Sequence, residues 1–289
     1  MGVASGARDQ AGGVVASAVT GARDAVDFLV DHATTGINTA GEIVVLGWDS
    51  TIAAITGILG RTFSWDEFFL QAWFMARVSL LPTILVSVPF GVIVSVQVGG
   101  VAGQIGANSF IGAVNAIGVM RQAAPLVAAI MIAGVVGAAV TADLGARTVR
   151  EEIDALMVMG ISPVERLVAP RLVAAVLVGV CLSAVVATTA IMTGYVLVVG
   201  SGAVSSGTYL GAFISFGQTL DLVMAVLKSA IFGFIAVMVS AHKGLNARGG
   251  PKGVSDAVNQ SVVLSVILLA LVNVGVTQVY VMLVPQRLV

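Results

Sequence analysis

Residues 147–171 read RTVREEIDALMVMGISPVERLVAPR, the one long charged island in a chain that otherwise reads as membrane. Arg147, Arg150, Glu151, Glu152, Asp154, Glu165, Arg166 and Arg171 are 8 of the chain's 29 Asp, Glu, Lys and Arg residues. Ile153, Leu156, Met157 and Gly160 recur at i, i+3, i+4 and i+7, which makes one apolar stripe along a short helix. Pro163 and Pro170 bound the segment, because neither supplies the N–H that a continuing helix needs. A short amphipathic helix offering Leu and Met on the polar side of a membrane requires a partner.

Composition agrees with that setting. The 289 residues are 58% hydrophobic and 10% charged, with mean hydropathy +1.04, whereas ordinary soluble domains carry about 25% charged residues. One aqueous core cannot hide that much apolar surface. A net charge of −1 points to neither a nucleic-acid partner nor a basic membrane-surface protein. The single cysteine, Cys181, excludes an internal disulfide and reads as a small core filler. Residues 1–35 carry Asp9, Asp24, Asp27 and Asp31 in place of a basic segment followed by an apolar one. They are expected to hold no signal peptide, which leaves insertion to the later spans.

Along the chain, residues 1–13 read as loose, and Val14 to Val30 as an amphipathic helix with an acidic face. Residues 43–60 are apolar but interrupted by Gly47, Asp49 and Gly57, so they are expected to graze the membrane or pack on the protein. Phe63, Trp65, Phe68, Phe69, Trp73 and Phe74 put six of the 17 aromatics into one short stretch beside Asp66, Glu67 and Arg77. That mixture predicts an interfacial helix over 63–76, lying in the headgroup layer. Five apolar runs follow, near 78–102, 123–146, 170–199, 221–241 and 258–285. Each suffices for the ~20 residues that cross ~30 Å of hydrocarbon. Helices satisfy their own backbone there, and the alternating ten-residue segments of a membrane barrel are missing. The expected fold is therefore an all-α integral membrane protein. An N-terminal extension, 1–60, precedes a membrane domain, 61–289, of five spans with the island between spans two and three.

Basic residues orient it. Arg61, Arg77, Arg147, Arg150, Arg166, Arg171, Lys243, Arg248 and Lys252 fall on one side, and Arg121 and Arg287 on the other. This bias puts the N-terminus and the island in the cytoplasm and the C-terminus outside. The outer connections, 103–122 and 200–220, are Gly-, Ser- and Asn-rich and too short for domains.

Catalytic equipment is sparse. No GxxxxGK[ST] sequence occurs, and Arg248-Gly-Gly-Pro-Lys252-Gly253 reads as a turn. His32, His242 and one cysteine do not assemble a metal site at usual spacings, so no cofactor is expected. Intramembrane polar groups say more, because they are expensive in lipid. Lys228 lies about two turns into the fourth span, with Asp221 seven residues before it on the same face. It either faces a cavity and steers an anionic headgroup or carboxylate, or pairs with an acid to fix packing. Gln97 either lines a pathway or bonds a neighbouring helix. Asp143 and Arg147, at i and i+4, form a local ion pair that orients the island.

The island also resembles a known family. ADLGARTVREEIDALMVMGISPVERLVAPR is similar to the MlaE/YrbE permeases, the membrane subunits of ABC-type lipid transporters that work with MCE proteins. An acidic helix followed by AL-x-x-MG-x-x-P-x-x-x-LV-x-PR is matched at Glu151, Glu152, Ala155, Leu156, Met159, Gly160, Pro163, Leu167, Val168, Pro170 and Arg171. Lys228-Ser229-x-x-Phe232 and Gln97 match too, and the likeness covers residues 63–285. ADLGART and RGGPKG look closest to the actinobacterial A-type YrbE subunits. The chain departs from the pattern at Ala133-Gly134-Val135, where many relatives carry an arginine, and at Leu144-Gly145-Ala146-Arg147, where many carry a methionine last.

The resemblance implies a cell-membrane permease half that pairs with a B-type YrbE subunit as a heterodimer. It implies a separate MceG-type ATPase, a hexamer of MCE proteins outside, and import of a lipid such as a fatty acid or sterol. The island becomes a coupling helix: Ile153, Leu156, Met157 and Met159 enter an ATPase groove, beside the Gly160 turn. Arg150, Glu151, Glu152 and Asp154 lie at its rim, where the acids meet basic residues. An ion-coupled secondary transporter predicts inverted repeats and paired midplane acids, and neither is visible. A membrane scaffold without transport leaves the island and Lys228 with no task.

Overall fold

A computed structural model of the chain describes residues 36–283, apart from Ile37, Thr62 and Gln218. The loose stretch 1–13, the helix expected over Val14–Val30 and both termini lie outside the described residues. The chain divides into two compact units, Met1–Leu46 and Gly47–Val289. The expected permease domain, 61–289, falls wholly within the second. In the first, the described part is essentially the start of helix α1 (Asn38–Leu59).

Every regular element among the described residues is helical, the form whose backbone is satisfied within one segment in lipid. After α1 come α2 (Trp65–Gln104), α3 (Asn108–Val149), α4 (Glu152–Val158), α5 (Val164–Gly200), α6 (Ser206–Phe216), α7 (Thr219–Leu245) and α8 (Gly250–Leu283). The five expected apolar runs sit inside α2, α3, α5, α7 and α8, as far as the described residues extend.

Two expectations change, and one reading is extended. The stretch 43–60, read as interrupted, lies up to Leu59 in a 22-residue helix of mean hydropathy 1.5, so among the described residues six helices are long and apolar enough to cross a membrane. Gly47, Asp49 and Gly57 weaken a helix without stopping it. The interfacial helix expected over 63–76 is no separate element. It runs straight on into the first span as one 40-residue helix, about 60 Å long. Nothing between Ala76 and Val78 breaks hydrogen bonding, since Arg77 is a good helix former. Finally, the connections at 103–122 and 200–220 are largely helical: α3 already starts at Asn108, and α6 occupies the second.

The core lies around α3 and α5. More than half of the most apolar window of α3 is buried (61%), against 17% for α8. Along α2 the buried side is Gln71, Met75, Ser79, Thr83, Ser87, Gly91 and Ser95, one position every four residues. Small residues on an i±4 ridge let two helices approach closely in lipid, where packing and hydrogen bonds replace the hydrophobic drive. The partner is α5. The Ser87 and Thr189 hydroxyls lie 2.5 Å apart, and a Cβ added to Gly91 would sit 2.7 Å from the Ala190 carbonyl oxygen. α6 is capped by Ser205, whose Oγ accepts from the Thr208 N–H at 3.3 Å. It folds Tyr209 inward to meet Asn115 Nδ2 at 3.4 Å.

Candidate functional site

The island folds into α4, a helix of seven residues held between two left-handed positions, Glu151 (φ 61°) and Gly160 (φ 75°). At its C-terminus the Ile161 N–H donates to the Leu156 carbonyl at 3.0 Å, and the Gly160 N–H to that of Met157 at 3.0 Å. This paired closure requires a residue at positive φ, which glycine adopts without penalty. The stripe is split. Ile153 is buried and Leu156 half-buried, so they face the chain itself. Met157 (54% exposed), Val158 (89%) and Met159 (64%) face outward, as do Asp154 and Gly160. Ile153, expected to enter a partner's groove, is buried within this chain.

Charge ties α4 to the long helices. Arg150 Nε donates to Glu152 Oε1 at 2.8 Å, and Glu152 lies 3.9 Å from Arg147. Arg147 and Asp143 form the expected i,i+4 pair at 3.4 Å. Asp143 has a nearer partner that sequence reasoning missed: Arg171 of α5, wholly buried, whose Nη2 donates to Asp143 Oδ2 at 2.5 Å. Arg171 also donates to the Leu167 carbonyl at 3.2 Å and lies 3.8 Å from Glu67 of α2. One chain of charges thus runs from α2 through α5 and α3 to α4. The signal was an arginine directly after Pro170, inside a long apolar run, where it needs an acid at the same depth.

At the opposite end of α3 stands Lys228 of α7. Its residue is only 3% exposed. The ammonium donates to the Arg121 backbone carbonyl at 3.1 Å, Gln122 Oε1 at 3.0 Å and Thr277 Oγ1 at 2.8 Å. All three acceptors are neutral. Asp221 is not its partner; that carboxylate accepts from Arg121 Nε at 2.5 Å and from the Tyr280 hydroxyl at 3.0 Å. Arg121 also stacks over the Tyr280 ring at 5.5 Å. The Arg121 carbonyl is available because α3 widens into a π-helical turn over Val119–Ala123. Such turns recur at functional sites. A pocket of about 220 Å³ opens here, lined by Lys228, Arg121, Gln122, Thr277 and Tyr280 with Ile117, Gly118, Met224 and Val281. Among the described residues the Lys228 ammonium meets neutral acceptors and no carboxylate, and Ile117, Met224 and Val281 add apolar surface beside it, an arrangement that suits the acidic end of an amphiphile. Gln97 is exposed on α2 and does not join this cluster. Of the stretch Arg248 to Lys252, read as a turn, only Arg248 and Gly249 lie outside a helix, with Gly249 and Gly250 at positive φ, and Pro251 and Lys252 already belong to the first turn of α8.

Residues 68–279 match the family model of the MlaE permease. A probable ABC transporter permease protein of Rickettsia bellii is 29% identical over 230 residues, 80% of this chain and 89% of that protein. One of Synechocystis is 31% identical over 183 residues, 63% and 70% of the two chains. The chloroplastic protein TRIGALACTOSYLDIACYLGLYCEROL 1 of Arabidopsis thaliana is 30% identical over 169 residues, 57% of this chain and 47% of that protein. A helical bundle with six potential spans among the described residues, a short helix tied by an ion pair to α3, and this match over most of its length make the chain a member of the MlaE permease family of ABC transporters.

Proposed function

We propose that the chain is the membrane half of an ATP-driven lipid transporter of the Mce/Mla class, with α4 on the cytoplasmic side as the plug for a separate MceG-type ATPase. What supports it is the knob of Met157, Val158 and Met159, exposed on a short helix that the Arg147–Glu152 ion pair ties to α3. An apolar knob rimmed by Glu151, Glu152 and Asp154 fits a groove with a basic edge. On the other face, Lys228 receives the acidic end of a fatty acid or other anionic lipid while the acyl chain lies among Ile117, Met224 and Val281. A B-type YrbE subunit completes the cavity, and a hexamer of MCE proteins delivers the lipid for import.

Val158→Asp tests this directly, because Val158 is 89% exposed and its loss leaves the fold intact. The variant should insert normally, lose the co-purifying ATPase and stop transport. An assembled, transporting Val158→Asp complex refutes the reading.

A further inference from the structure

We infer that Asp49, on the outward side of α1, docks a membrane-spanning helix of a different subunit that brings an arginine or lysine to the same depth. The inward side of this stretch is small: Gly47, Ser50 and Ala54 are buried. A Cβ added to Gly47 would lie 3.1 Å from the Phe234 ring and 3.6 Å from Met238 Cγ, both on α7. These residues stand 11 and 7 positions before Leu245, the end of α7 that carries His242 and Lys243. At ~1.5 Å per residue, Gly47 is about 10–16 Å in from that end. Further along, Ala53, Thr56 and Gly57 share a polar pocket with Gly160, Ser162 and Arg166, beside α4. From Gly47 to Gly57 the helix therefore climbs from within the bilayer to its surface. Asp49, two residues nearer that surface, is about 3 Å shallower than Gly47, about 7–13 Å in from the end of α7 and within the ~15 Å of one hydrocarbon leaflet.

Around it the outward side is built for lipid: Trp48 is 69% exposed and Ile52 44%. Asp49 is exposed among them and has no hydrogen bond or ion pair among the described residues. An ionisable side chain at such depth is costly unless a partner meets it, so it marks a contact rather than a lipid-facing surface. Its sign selects the partner. A second copy packed α1 against α1 about a two-fold axis brings acid toward acid, which is repulsive. A different spanning helix with a cation at this depth forms a charge-assisted pair that lipid cannot screen.

The test uses the whole complex in its native membrane and is indifferent to what is transported. In a Cys181→Ser background, Asp49→Cys should resist a membrane-impermeant maleimide from both sides. A photo-crosslinking amino acid in place of Trp48 should capture a membrane segment of another subunit, with Arg or Lys in the captured peptide. Asp49→Lys should lower the recovery of that subunit at least tenfold, and Asp49→Asn by less. Rapid labelling of Asp49→Cys would mean that the helix lies at the water surface and overturns the inference. Capture of this same chain or of lipid alone overturns it too, as does Asp49→Lys with its full set of subunits.

Discussion

Arg171 shows what one side chain decides in this bundle. It is completely buried, and the two acids that hold it come from helices far apart in the chain, Asp143 on α3 and Glu67 on α2. Asp143 is 43% exposed and keeps Arg147, so removing Arg171 strands no buried charge, whereas removing Asp143 leaves the buried guanidinium with only Glu67 at 3.8 Å. Stranding a buried charge costs about 3–5 kcal/mol. Asp143→Ala should therefore lower the unfolding midpoint of the detergent-solubilised protein sharply, and Arg171→Met by less. Lys228 is the contrast. Its acceptors are neutral, and one of them, the Thr277 hydroxyl, already donates to the Asn273 carbonyl at 2.6 Å, so no charge is stranded when the ammonium goes. Lys228→Met should unfold close to wild type and yet retain much less acidic lipid, measured by mass spectrometry of the purified complex. Equal lipid retention with a large loss of stability would make Lys228 a packing residue.

At the scale of an element, α4 depends on its two left-handed ends. Gly160→Ala places a Cβ at φ 75°, at about 1 kcal/mol. Amide exchange across 152–158 should speed several-fold in that variant while α3 and α5 stay protected. Glu151→Gly should do the reverse, because φ 61° is strained for Glu. How far these elements were legible follows from what each signal averages over. The five apolar runs were visible because hydropathy sums over ~20 residues. Their ends were not, since the aromatic stretch that extends α2 back to Trp65 was read as a helix of its own, and the Gly, Ser and Asn residues that follow Asn108 read as a connection. The stripe in the island identified α4, but an apolar stripe names a buried face without saying what buries it. Ile153 turned toward its own chain and left Val158, which lies off the stripe, as the exposed tip. Asp143 and Arg147 were readable as neighbours four apart. Glu67 and Arg171 were not, because pairing across helices depends on which helices touch.

For the whole molecule, the decisive feature is that both sites rest on one helix. α3 carries Arg121 and Gln122, which hold Lys228, near its start, and Asp143 and Arg147, which reach Arg171 and Glu152, near its end. On the proposed function, a lipid acid that takes Lys228 competes with the Arg121 carbonyl, biasing the π-helical turn at Val119–Ala123. The bias can reach α4 because α3 is continuous from Asn108 to Val149. A ligand shifts a conformational equilibrium only through contacts that differ between its states, and the resulting coupling is reciprocal, typically 5–150-fold in affinity. Lipid should then raise ATP hydrolysis by the assembled transporter, and trapping the ATPase with a non-hydrolysable nucleotide should change lipid affinity. Arg147→Ala removes the ion pair that joins α3 to Glu152 of α4 and leaves Lys228 and the exposed Met157–Met159 knob unaltered. It should leave basal hydrolysis and lipid binding near wild type while abolishing both cross-effects together. Loss of one cross-effect with the other intact would break the reciprocity and show that α3 is not the path between them.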